Sequence, residues 1–427
     1  MLRYLAIPAM FLVAPAIAQD TSAETAEAID ASALEKAASD VVAVLMNDMP
    51  ATEVFTASFL EQVPADRLVG LTTQLESQFG PITGVESVTA ETPSAGTMLI
   101  RFEKALATAN IALSPGGKVA GLLIKGVEPI DDSLAKIVAD VEALPGNVGI
   151  YYAPLATGTE PVLAIDENAS LAIGSAFKLY VLSAIAHKVE AGELSWDQVI
   201  PVEGKSFTGG TVFEFPDGAP MTIQTVATLM ISISDNSATD MLVRLAGQDA
   251  LEAELRLSGH SAPAANIPFP TTAQFVKLKA DPGLVELYAG ADDESQQLIL
   301  DKLDEREPMP DLAAVFGDGP NAIDKIEWFA SGRDIAGIFR RITELTDTTA
   351  LDIMAVSPSV QDSTLEKWDY IGFKGGSEPG VLNVSWLMRD EAGEWHTLIM
   401  SWNNTEAEVT QSKLELLSSR IFALPRE

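Results

Sequence analysis

Apolar residues recur at helical spacing over residues 33–46, around Phe59 and Leu60, and over 68–79. The pattern then changes to short runs of strand type at 85–88, 96–102, 109–113 and 119–124. Pro115-Gly116-Gly117 marks the turn before the last of these. Helices followed by an antiparallel meander predict a small α+β domain over residues 33–129. A second domain, 131–427, opens with a helix over 134–144, capped by Asp131-Asp132-Ser133 and ended by Pro145-Gly146. Strands at 148–152 and 162–165 follow, then a helix over 177–191 that stops at Gly192. Further helical runs cover 223–233, 238–245 and 334–345; strands are expected at 370–374, 381–388 and 396–402, and a closing helix at 409–422. The first and last strands of this domain can share one sheet, with the helical middle beside it. Residues 279–330 are charged and carry Pro282, Pro308, Pro310 and Pro320, so they read as an insertion, a solvated lobe with short helices. The fold class is α+β in both domains.

The N-terminus carries a different pattern. Arg3 precedes an apolar run over 5–14 that is too short to span a bilayer, and Ala16-Ile17-Ala18 is a small-x-small cleavage site. Residues 1–18 are therefore expected to be a signal peptide and 19–32, rich in Ala, Asp, Glu and Ser, a flexible leader. The expectation is export to a periplasm or to the exterior, with no membrane-spanning segment in the mature chain.

Composition narrows the chemistry. A formal net charge of −34 argues against nucleic acid and anionic membrane surfaces as partners. There is no cysteine, which excludes disulfides, thiol nucleophiles and thiolate metal sites. The three histidines, His187, His260 and His396, have no metal-ligand spacing, and no metal or cofactor is expected.

Candidate chemistry begins at Gly174-Ser175-Ala176-Phe177-Lys178, where a helix starts. A serine hydroxyl is a poor nucleophile near neutrality and needs a base within reach. A lysine three residues on, with its acidity raised by burial or nearby positive charge, can serve. Alone, S-x-x-K is a frequent chance pattern, more often a solvated helix start than a catalytic pair. Two further groups change that weighting: Ser234-Asp235-Asn236 between two helices, and Lys374-Gly375-Gly376-Ser377 on a strand edge.

With these three groups in this order, the second domain resembles the class A β-lactamases and penicillin-binding proteins, whose signature is S-x-x-K, S-D-N and K-T-G. The first domain resembles the cystatin- or NTF2-like (steroid-isomerase-like) module that precedes a β-lactamase-like domain in the serine hydrolases of clavulanic acid gene clusters. The resemblance implies Ser175 as nucleophile, Lys178 as its base and Ser234 as relay to the leaving nitrogen. It implies that Lys374 supplies charge near Ser234 and the substrate carboxylate. Asn236 would bind the substrate amide, and Gly376 and Ser377 would line the substrate, the N–H groups of Ser175 and Ser377 forming the oxyanion hole. Asp235 would hold the loop.

Two departures matter. Gly375 stands where the signature has threonine, so one hydroxyl is missing unless Ser377 replaces it. The loop expected to hold the deacylating glutamate, residues 260–270, has no acidic residue; the nearest upstream is Glu254, inside an expected helix, and His260 is the one titratable side chain in the loop. The resemblance therefore implies an acyl-transferring serine hydrolase of β-lactams or related amides and esters with slow deacylation. A D,D-peptidase acting on peptidoglycan stem peptides, or a β-lactam-binding sensor without turnover, are the alternatives.

Overall fold

The computed structural model describes residues 32–130, 132–305, 309–360 and 362–424. The expected signal, 1–18, and all but the last residue of the expected leader, 19–32, lie outside them. The chain divides into two compact units. One holds the described residues up to Ala139, a short stretch near 361–364 and the segment from Glu415; the other holds the rest, from Asp140 to Leu414.

In the first unit, helix α1 (Ser32–Leu45) buries Leu34, Ala37, Ala38, Val41 and Val42, an apolar stripe of helical period. Helix α2 (Ala65–Phe79) follows two shorter helical turns. Four strands, β1 (Ile82–Thr92), β2 (Ala95–Phe102), β3 (Ala105–Leu113) and β4 (Val119–Pro129), pair as an antiparallel meander in chain order. Along β2 burial alternates, with Met98, Ile100 and Phe102 inward. On β3 the inward residues are Ala105, Ala107, Ala109 and Ile111.

The second unit is built on a five-stranded antiparallel sheet. Its strands are β5 (Asn147–Pro154), β6 (Leu163–Ile165), β7 (Tyr370–Glu378), β8 (Val381–Arg389) and β9 (Trp395–Asn403). The order is β7-β8-β9-β5-β6, so β7 is an edge. The first and last strands do share the sheet: β9 pairs β5 from Asn403↔Asn147 to His396↔Pro154. Strand β8 is buried at every position but its last, and within that buried run only Asn383 and Ser385 are polar, which suits a strand covered on both faces.

Helix α3 (Lys178–Glu190) is buried on all sides over its first nine residues and forms the axis of the helical part. Around it lie α4 (Ile223–Ser232), α5 (Asn236–Ala246) and α6 (Gln248–Leu257), and α10 (Gly332–Thr343) packs against it from the sheet side. Between α6 and α10 come α7 (Thr272–Lys279), opened by a Thr271–Gln274 capping box, then α8 (Pro282–Ala289) and α9 (Asp293–Asp304).

The expectation of a solvated lobe needs correction. Leu287 and Leu298 are exposed, but Val285, Leu300, Leu303 and Val315 are buried in the main core of the unit. High average charge hid an apolar face at helical spacing. A second difference bears on the site. Strand β7 runs on to Glu378, so Gly375, Gly376 and Ser377 belong to the strand rather than to the loop beyond it.

Candidate active site

The site forms where the entry to α3 meets the edge strand β7. Residues Gly174–Phe177 make a 3₁₀ turn, and Lys178 is the first residue of α3. A turn with a period of three sets positions 175 and 178 on one side of the chain. Phe177 faces the core and stacks on Trp328, ring centroids 3.7 Å apart. Ser175 is partly exposed, and its hydroxyl has no hydrogen-bond partner among the described residues.

Lys178 is fully buried. Its Nζ donates to Ser234 O at 2.8 Å, Ser234 Oγ at 3.0 Å and Asn236 Oδ1 at 2.8 Å. Lys374, also buried, donates to the same Ser234 Oγ at 3.0 Å and to Gly375 O at 2.6 Å. One hydroxyl thus lies between two lysine nitrogens. Burial, and then the charge of Lys374, hold the Lys178 ammonium well below the ordinary lysine range, against weaker opposition from Asp240 and Asp235. Burial alone brings Lys374 down to about 7.

Ser234 takes a left-handed backbone, φ +57°, in the link between α4 and α5. That conformation is rare for a residue with a Cβ and persists only where its surroundings enforce it. Asp235 is part of the enforcement. Its Oδ1 caps α5 by accepting from Ala238 N at 2.9 Å, and its Oδ2 accepts from Val212 N at 2.9 Å. The expected loop-holding role for Asp235 matches these contacts.

Two glycines bring the turn and the strand together. A Cβ on Gly376 would stand 2.1 Å from Ile173 O and 2.4 Å from Ser175 N; one on Gly174, φ +47°, would stand 3.0 Å from Ser377 N. Only bare backbone fits on both sides. The Glu378↔Val381 pair closes a two-residue hairpin, which makes it a hydrogen-bonded pair. By the alternation of an antiparallel ladder, Ser377 N–H then points away from β8. The N–H groups of Ser175 and Ser377 accordingly lie at one junction, the arrangement an oxyanion requires.

Sequence reasoning missed what stands behind Asn236. Its Nδ2 donates to Thr208 Oγ1 at 2.9 Å, and Thr208 Oγ1 lies 2.7 Å from Ser206 Oγ. Thr272 Oγ1 continues the chain to Ser206 Oγ and to Asp240 Oδ1, each at 2.8 Å. Burial pushes the Asp240 carboxyl up to about 6 although Thr272 and Ala273 hydrogen-bond to it. These residues are scattered over 67 positions of sequence, and only the fold connects them.

The titratable groups expected near a deacylating water are engaged elsewhere. The His260 side chain is fully buried, its Nε2 2.9 Å from Phe329 O and its Nδ1 accepting from Ala262 N at 3.1 Å. Glu254 lies inside α6 and binds Arg341 through both oxygens, at 3.0 and 2.9 Å, while Ser183 Oγ donates to it at 2.5 Å. Away from the site, Asp390, Glu394 and His396 bring ligand-type atoms within 4.8 Å at the β8–β9 turn, a grouping that a search of histidine spacings passes over. There Asp390 caps the turn by accepting from Glu394 N at 2.8 Å and lies 3.1 Å from His396 Nε2.

Residues 129–350, just over half of the chain, match the profile described as the beta-lactamase enzyme family. Solved structures similar to the chain include a β-lactamase of Sphaerobacter thermophilus, 19% identical over 68% of this chain and 96% of that one, TM-score 0.46. A β-lactamase of Chitinophaga pinensis is 16% identical over 67% and 96%, TM-score 0.44. PBP-A, solved as a mutant acyl-enzyme complex with penicillin G, is 17% identical over 67% and 94%, TM-score 0.46. No curated protein matches. Among the described residues no helix is long and apolar enough to cross a membrane.

Proposed function

Because the chain belongs to the beta-lactamase enzyme family, we propose that it is an exported serine hydrolase that is acylated at Ser175 by β-lactams or related amides and esters and releases the acyl group slowly. The observation that carries this reading is Ser234 Oγ held 3.0 Å from both Lys178 and Lys374, two buried lysines with lowered proton affinity.

The chemistry runs as follows. Ser175 Oγ attacks the carbonyl carbon while its proton passes to neutral Lys178. The carbonyl π pair moves to oxygen, where the N–H groups of Ser175 and Ser377 receive it. Collapse of that intermediate breaks the C–N bond, and the leaving nitrogen takes a proton from Ser234, which is resupplied through Lys178. Once Lys178 holds the Ser175 proton, its 3.0 Å contact to Ser234 runs from ammonium to hydroxyl, which frees the Ser234 proton for the leaving nitrogen. Lys374 keeps the relay positively biased and faces the substrate carboxylate. Asn236, with Oδ1 on Lys178 and one N–H on Thr208, has its second N–H left for a substrate amide.

Deacylation needs a base for water. The loop 260–270 offers no carboxylate, Glu254 is committed to Arg341, and His260 is sealed inside. Slow release follows. Export rests on the signal pattern of residues 1–18, and the division into a cystatin- or NTF2-like domain, 33–129, and a catalytic domain, 131–427, stands on the same sequence grounds.

Rapid mixing with a chromogenic cephalosporin tests the reading. A burst equal to the enzyme concentration, then a slow steady state, is expected. Fast linear hydrolysis without a burst contradicts slow release. D-alanine release from a cell-wall pentapeptide would make the enzyme a peptidase instead.

A further inference from the structure

Beside the reaction machinery lies a second buried charged group that the chemistry above does not use. Lys279, at the end of α7, is 2% exposed. Its Nζ makes a short ion pair with Glu378 Oε1 and stands 3.7 Å from Glu327 Oε1, the three side chains being 0%, 9% and 0% exposed. The ammonium also lies over the Phe275 ring, 4.5 Å from its centroid. Glu378 directly follows Ser377 and closes the β7–β8 hairpin.

The same segment reaches the other half of the oxyanion junction. Trp328, next to Glu327, stacks between Phe275 and Phe177 at 4.7 and 3.7 Å, and its carbonyl accepts from Ile173 N at 3.0 Å. Its own N–H donates to Glu327 Oε2 at 3.0 Å. So α7 and residues 327–328 grip the Ser175 turn through an aromatic stack and the Ser377 strand end through an ion pair.

We propose that Lys279 is a positioning residue: clamped between Glu327 and Glu378, it fixes the end of β7 and thereby aims the Ser377 N–H at the reacting carbonyl. A buried ion pair is a poor way to gain stability, since an apolar trio would serve as well or better. It is a good way to fix one strand end at one point, because among the described residues the Glu378 carboxylate has one cation to meet. Burial and the charge of Glu378 push the Glu327 carboxyl well above the usual carboxylate range, so Glu378 is the closer and stronger partner of Lys279.

The consequence for catalysis rests on the Ser175–Ser377 reading above, so the test has two arms on full-length protein. In Lys279→Met, with Glu378→Gln as a second variant should the first not fold, amide hydrogen exchange of the peptide spanning 376–382 should rise at least tenfold while β9 stays protected. With benzylpenicillin as probe, the acylation rate constant should fall about 10- to 100-fold, a displaced donor costing somewhat less than a deleted one, while the non-covalent binding constant stays within about threefold. A lower melting temperature with wild-type exchange and wild-type acylation would overturn the proposal and leave Lys279 a packing residue. If wild-type protein is not acylated at all, the Ser175 reading falls; exchange then decides alone, and unchanged exchange at 376–382 overturns the clamp.

Discussion

Lys178, Lys374 and Lys279 are all buried, at 0%, 3% and 2% exposure, yet their surroundings differ in one respect. Lys279 meets two carboxyls, Glu327 and Glu378. Lys178 and Lys374 meet a shared hydroxyl and carbonyl or amide oxygens, and among the described residues neither forms an ion pair. Burial without a counter-charge favours the neutral amine, and at Lys178 the charge of Lys374 adds to the effect. Burial against a carboxylate gives an ion pair that ties two elements together. The same side chain is therefore a proton carrier in one place and an anchor in the other, and β7 joins the two through Lys374 and through Glu378, the partner of Lys279.

The comparison is broken most severely at Lys178. Lys178→Met should lower acylation by about 10²–10⁴-fold, the range for loss of a positioned base, with the fold retained by circular dichroism. Near-normal acylation would mean that another group takes the serine proton. Next comes the junction that both clusters serve. Gly376→Ala places a Cβ 2.1 Å from Ile173 O and must part the turn from the strand, so acylation should fall about 10²–10³-fold, as for loss of an oxyanion donor.

The pH dependence sharpens the same contrast. Lys374 has a folded value of about 7 against 10.5 for an ordinary lysine, and Lys178 is lowered as well. Between those values the unfolded chain binds more protons than the folded one, so stability against urea should rise as pH goes from 7 toward 10. Lys374→Met should flatten that rise. Acylation moves in the same direction, because Lys178 must be neutral; it should decline as pH is lowered. The smallest effect on chemistry is expected at Glu254. Glu254→Gln should leave the deacylation rate within about twofold while costing roughly 1–3 kcal/mol of stability by loosening Arg341 and Ser183. A large fall in deacylation would identify Glu254 as the missing base.

The parts of the molecule legible in the sequence are those written in local periods. The antiparallel meander, the pairing of first and last strands, and the placement of Ser175, Ser234 and Lys374 on turn, link and strand follow from alternation, caps and motif spacing. Asp235 too could be read, since a cap is a local device. What could not be read is tertiary pairing of charge. Lys279, Glu327 and Glu378 sit in or beyond an acidic stretch that looks like solvated surface, and nothing local distinguishes them from its exposed neighbours. The Thr208–Ser206–Thr272–Asp240 chain was hidden for the same reason, its members being polar residues of ordinary loops and helix starts until the fold encloses them.

All of this turns on whether Ser175 carries the acyl group. Intact-mass measurement after incubation with benzylpenicillin, on wild type and Ser175→Ala, decides it. A single adduct of the penicillin's mass on the wild type, located to the 174–178 peptide, persisting over many minutes and missing from Ser175→Ala, is the predicted result. An unmodified wild type that also leaves the penicillin intact, or an adduct that survives the substitution, would contradict the account.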